Sequence, residues 1–123
     1  SLSIMEFFGY RKLVAYLRAK DIVKLTYKLL RKFPKEEQFA MCNQLRRASI
    51  SITSNIAEGM GRISNKEKCH FIEMAFGSLM EIMSQFEIAQ ELNYISENDL
   101  NNMETMISEE ARLLSGLLKS FQP

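Results

Sequence analysis

Cys69 and His70 are the first residues to weigh, because a thiol beside an imidazole can act as an activated nucleophile. Their spacing argues against it. Neighbouring residues on a helix point about 100° apart, so the two side chains do not face one another. Glu67 stands three residues before His70, the Glu-x-x-His spacing of carboxylate-bridged metal bundles. Such sites need a second copy on a facing helix, and the chain has one His. Cys42 and Cys69 lie far apart in helical patterns and do not make a zinc spacing. The sequence therefore predicts no catalytic residue, no metal and no cofactor, and reads both cysteines and His70 as structural or surface residues. The sharper features are basic and polar. Arg46 and Arg47 are adjacent on a helix and span two faces. Either they pair with Glu58 or with acids of the third helix, or one reaches a partner. Lys12, Arg18, Lys20, Lys24, Arg46 and Arg47 are the candidate contacts to a phosphate backbone, which such cations bind by displacing counterions.

The elements that must position these residues are helices. The first is predicted at about residues 10–32. Ala15, Ala19, Ile22, Thr26, Leu29 and Phe33 alternate by four and three, the seam of a packed helix, and Leu13, Leu17, Leu25 and Leu30 widen it. Pro34 suits a helix start because its missing N–H would have no partner there, so the second helix is predicted at about 34–58. Its seam is Phe39, Cys42, Leu45, Ser49, Ile52 and Ile56, with Ile50 broadening the buried face and Ala48 and Ser49 small enough for close approach. Gly59 and Gly61 end it, glycine being the residue that takes up a left-handed stop. Ser64 and Glu67 form a capping box for a third helix at about 65–92. Phe71, Ala75, Ser78, Ile82, Phe86 and Ala89 make one stripe on it. Ile72, Phe76, Leu79 and Met83 make a second, which predicts an extra buried face at a subunit interface. Ser96 and Asp99 are a weaker box opening a fourth helix at about 97–120. Its seam is Leu100, Met103, Ile107, Ala111, Leu114, Leu118 and Phe121.

Short connections make sequential helices antiparallel neighbours. The reading is an all-α, antiparallel up-down four-helix bundle over residues 1–123, one domain, with two Pro and five Gly in the whole chain leaving the helices uninterrupted. Ser1–Tyr10 is apolar but has no basic leader, so it does not read as a signal peptide, and Ser1–Ser3 reads as an unstructured start. No apolar run approaches the roughly 20 residues of a membrane span. Two isolated cysteines suit a reduced cytoplasm. Net charge is +1, but residues 1–63 hold 12 Lys and Arg against 5 Asp and Glu, while residues 64–123 hold 4 against 10, a split of +7 and −6.

Several stretches carry a resemblance. They are Phe33-Pro34-Lys35-Glu36-Glu37, Gln44-Leu45-Arg46-Arg47-Ala48, Ser51-Ile52, Ser54-Asn55-Ile56-Ala57-Glu58-Gly59 with Gly61-Arg62, and Phe71, Ala75, Gly77-Ser78-Leu79 and Glu81. From about Phe8 to Phe121 the chain resembles the bacterial four-helix bundle proteins encoded in intervening sequences of large-subunit ribosomal RNA genes. The accessory variability protein of diversity-generating retroelements belongs to the same family. The resemblance implies an up-down bundle that assembles into a ring, a pentamer, with a non-enzymatic role. The retroelement branch is strongly basic, binding nucleic acid and a reverse transcriptase; this chain departs from it in its near-balanced charge.

Gln44, Arg46, Ser51, Ser54, Asn55, Glu58, Gly59 and Arg62 are the motif residues. The four polar ones in the helix, Gln44, Ser51, Ser54 and Asn55, are expected to bond across helices or subunits, since buried polar groups need partners. Glu58 and Arg62 are expected to pair across the glycine turn. Two functions follow as expectations. The first is a homo-oligomeric accessory or scaffold protein, the basic half of one copy facing the acidic half of the next. The alternative is an RNA- or DNA-binding accessory protein acting with a reverse transcriptase.

Overall fold

A computed structural model describes residues 7–123; the expectation for Ser1–Ser3 lies outside the described residues. Four helices carry the structure: α1 Val14–Leu30, α2 Met41–Met60, α3 Asn65–Glu91 and α4 Glu97–Phe121, with single 3-10 turns at Gly9–Lys12 and Lys35–Glu37. Each packs on its sequence neighbour and α4 closes on α1. The registers are antiparallel. Gln44 and Ser51 of α2 meet Gln85 and Ser78 of α3, while Arg18 and Lys32 of α1 meet Glu109 and Asp99 of α4. This is the predicted up-down bundle.

The α1 seam is as the four-three spacing predicts: Ala15, Ala19, Ile22, Thr26, Leu29 and Phe33 are all buried. Phe33 stacks edge-on to Phe86 at 6.3 Å and lies against Tyr94 at 5.3 Å, closing one end of the core. Each such Ile, Leu or Phe removed from water stabilises the fold by roughly 1.5–3 kcal/mol. Both stripes of α3 are spent inside the molecule. Ile72 and Leu79 join Ala75, Ile82, Phe86 and Ala89 at full burial, and Phe76 and Met83 pack against them. The second stripe therefore is not a subunit face, because α3 buries one broad face between α2 and α4. Ile50 does not broaden the α2 core either and is 43% exposed.

Helix ends depart from local rules. α1 begins at Val14 rather than near Tyr10, because Leu13 is extended (φ −67°, ψ 130°) and no side chain caps the helix upstream. α2 begins at Met41 rather than Pro34. Arg46 reaches back to Gln38, donating Nη2 to its Oε1 at 2.6 Å and Nη1 to its carbonyl at 3.3 Å, and the backbone turns sharply at Ala40 (φ −121°, ψ −104°). Phe39 thereby falls outside the seam and is 97% exposed.

Gly61 ends α2 in the right-handed region at φ −83°, so the glycines are not left-handed stops. The left-handed residue is Asn93 at φ 64°. There Tyr94 N–H donates to Ala89 and Asn93 N–H to Gln90, both at 2.9 Å, a complete Schellman stop. Of the two predicted boxes the second is the full one. Ser96 and Asp99 bond reciprocally, whereas Ser64 accepts from Glu67 N–H without the return bond.

Candidate interaction surfaces

Gln44, Ser51 and Gly59 of the motif lie along the line where α2 meets α3. Ser78 Oγ donates to Ser51 Oγ at 3.1 Å, and Gln85 Nε2 to Gln44 Oε1 at 3.1 Å and to Glu81 Oε2 at 3.1 Å. Asn55 turns back on its own helix, donating to the Ser51 carbonyl and hydroxyl at 2.9 Å. Gln44 and Ser51 thus bond across helices as expected; Asn55 does not, and Ser54 faces solvent. Gly59 is buried on this line. A Cβ on it would lie 2.9 Å from Phe71 Cβ and 3.4 Å from the Lys68 carbonyl, so its absence lets the backbones approach.

The predicted ion pairs of the motif are not made. Arg62 lies over the Phe71 ring at 4.6 Å, where a cation is held by the ring's negative face, rather than on Glu58. Arg46 bonds Gln38 rather than an acid. The end of α2 is instead held by Lys68, whose ammonium donates to the Met60 and Arg62 carbonyls, as suits the negative end of a helix.

The bundle order turns the charge split into geometry. α1 and α2 are neighbours, as are α3 and α4, so the basic and acidic halves form opposite sides. Lys20, Lys24 and Lys28 of α1, and Arg31 just past its end, are exposed. Tyr27, 40% exposed, links a hollow lined by Lys24 and Arg31 to one lined by Asn43, Arg47 and Ile50. Of the candidate phosphate contacts, Lys20, Lys24 and Arg47 share this side and Arg46 borders it. Arg18 does not; it pairs with Asp21 at 3.3 Å and with Glu109 at 3.2 Å toward α4. Lys12 sits apart on the first 3-10 turn. Val14 and Leu17 add exposed apolar surface on α1. Across the molecule, α3 exposes Glu73, Glu87 and Glu91, interleaved with Met74, Met80 and Ile88 at 38–44% exposure.

His70 is exposed and stands edge-on to Phe71, with ring centroids 5.7 Å apart, while Cys69 directs its thiol to the Leu118 carbonyl at 4.0 Å. Both border one open hollow with Glu73 and Phe121, but the thiol is turned to that carbonyl and not to the imidazole. Cys42 is buried, and burial pushes its thiol above the ordinary range, away from the reactive thiolate. Among the described residues no three His, Cys, Asp or Glu side chains gather as metal ligands, and no helix is long and apolar enough to cross a membrane.

One residue escaped the sequence reading. Glu110 has no exposed surface, and among the described residues neither carboxyl oxygen has a hydrogen-bond partner. Burial pushes its carboxyl up to about 8, Glu109 adding to the rise and Arg18 opposing it. Its signal was present: Met103, Ile107, Glu110 and Leu114 alternate by four and three, and all four are buried.

This geometry defines a helical bundle with a polar interhelical seam and two oppositely charged sides. A model of the 23S rRNA-intervening sequence protein family matches residues 11–116, and the chain belongs to that family. A solved structure from Bacteroides thetaiotaomicron, a protein of unknown function from the S23 ribosomal protein family, shares the fold. It superposes with a TM-score of 0.77 at 21% identity, over 86% of this chain and 99% of that one. No curated protein matches.

Proposed function

We propose that this protein is a non-enzymatic accessory protein that works as a homo-oligomer. The basic outer face of α1 on one copy docks on the acidic outer face of α3 on the next. The observation that carries this is the pairing of unlike charge with exposed apolar side chains on opposite sides. Leu17 and Tyr27 lie among lysines, and Met80 and Ile88 lie among glutamates. A contact between two different faces repeats from copy to copy and closes into a ring where the rotation allows. The family resemblance supports five copies in that ring. Light scattering at physiological salt tests it. The expected particle is a multiple of the 14.3 kDa chain, and a monomer overturns the reading.

A second reading has its own support. Lys24, Lys28, Arg31 and Arg47 surround the exposed ring of Tyr27, with Lys20 over the Tyr16 ring further along α1, a mixture of cations and stacking surface that suits RNA or DNA. It predicts a gel shift at low salt that fades steeply as salt rises. Absence of any shift at low salt removes it. Both readings draw on one basic face, so a protein that assembles through it has less of it left for phosphates.

A further inference from the structure

Glu110 has no role in either reading. It lies on the α1 side of α4, in the half of the molecule where Arg18 bridges to Glu109. On α1 the inward neighbours are Ala15, Ala19 and Ile22; the inward residues of α2 and α3 at mid-bundle are Ile52, Ile56, Ile72, Ala75 and Leu79. None supplies a charge or a side-chain hydrogen bond. The acids of the other packed helices, Glu58 of α2 and Glu73 and Glu81 of α3, are exposed on the outside. The charged groups that act on Glu110 are Glu109 beside it and Arg18 from α1, and Arg18 is already engaged with Asp21 and Glu109. Across the same seam, Thr26 Oγ1 on α1 is also buried without a partner. An ionised carboxylate is far more costly to hold in such a place than a neutral acid.

We propose that Glu110 is a proton-operated latch between α1 and α4: with its proton the acid stays inside and the seam is shut, and once the proton passes to solvent the carboxylate moves out toward Arg18 and water, and α1 loosens from α4. Arg18 is the natural receiver, since exchanging Glu109 for Glu110 keeps its charge paired. The latch is internal to one chain, so it stands whether or not copies assemble.

The sign follows from linkage. The group's proton is held more tightly in the folded chain than at the ordinary 4.5. Its contribution is therefore complete below about pH 4.5 and is lost as pH rises through about 8. In that interval the folded-to-unfolded ratio falls by up to about tenfold per pH unit. The test is urea unfolding of the full chain from pH 5 to 9 for wild type and Glu110→Gln. It is paired with amide exchange, corrected for intrinsic rates, and carbon NMR titration of the Glu110 carboxyl in wild type. The expected result is a pH-dependent loss that Glu110→Gln removes, with α1 amides losing protection before those of α2 and α3, and a carboxyl titrating well above the ordinary range. An unchanged pH profile in the variant, uniform loss of protection across all helices, or a carboxyl titrating near 4.5 would each overturn the latch. If Glu110→Gln does not fold, the exchange and titration of wild type still decide.

Discussion

The α2–α3 seam and the outer faces of α1 and α3 are both rich in polar residues, and they use them differently. On the seam most polar groups find one another, Gln44 with Gln85, Ser51 with Ser78 and Gln85 with Glu81, and only Gln85 Oε1 is buried there without a partner among the described residues. On the outer faces Lys20, Lys24 and Lys28 on one side and Glu73, Glu87 and Glu91 on the other are exposed, and none belongs to an ion pair among the described residues. The most distinctive part of the sequence thus describes how two helices fit together. The less distinctive charged faces remain to meet something else. A motif is a record of constraint, and here much of the constraint is internal.

The seam is most sensitive at Gly59. Gly59→Ala places a methyl 2.9 Å from Phe71 Cβ, and either α2 and α3 separate or Phe71 shifts. A loss of about 1–3 kcal/mol is expected from such overpacking, read as a lower urea midpoint. A neutral result would show that the seam is not tight there.

Smaller effects should follow the hydrogen bonds. Ser96→Ala removes the reciprocal cap of α4 and should cost about 1 kcal/mol. It should also flatten the acid limb of stability. Asp99 sits below its ordinary 3.8, chiefly because Lys32 donates to it and also through its bonds with Ser96. A depressed carboxyl contributes fully above its unfolded value and loses that contribution as pH falls through the folded one. Lys32→Met should therefore weaken the protein at neutral pH and steadily less below pH 3.8, checked by thermal melts across the acid range. For the seam, Ser51→Ala and Ser78→Ala should each cost about 0.5–1.5 kcal/mol, and together less than their sum, because they share one bond. Strict additivity would mean that the two hydroxyls do not interact. The smallest effect belongs to Arg18→Ala. Its two ion pairs are half-exposed, and such pairs contribute about 0–1 kcal/mol.

Much of the fold was legible. Every residue on the four-three rhythm from Ala15 to Phe33 is buried, and in α1 only Leu30, beside that rhythm, joins them. The seven-residue steps from Gln44 to Ser51 and from Ser78 to Gln85 mark the two sides of the polar seam, though only their packing shows that the pairs meet. What was not legible depended on contacts distant in sequence or on helix rotation. Pro34 looked like a helix start, but buried Phe33 and the reach of Arg46 to Gln38 decide the local path. Glu58 and Arg62 looked like a pair because they stand one turn apart, but the Phe71 ring from α3 takes the arginine. Glu110 was hidden by the expectation that an acid faces water. The outer faces were legible only as a charge count; the bundle order makes them opposite sides of one molecule.

The division of labour between seam and faces is tested most directly by light-scattering mass at physiological salt. The variants are Ser51→Ala with Ser78→Ala, Lys24→Glu, Glu87→Lys, and the last two combined. The account predicts that the seam variant melts earlier yet keeps the wild-type mass, that each charge reversal falls toward the 14.3 kDa chain, and that the combined reversal regains mass. Loss of mass in the seam variant with no change in the charge reversals would contradict it.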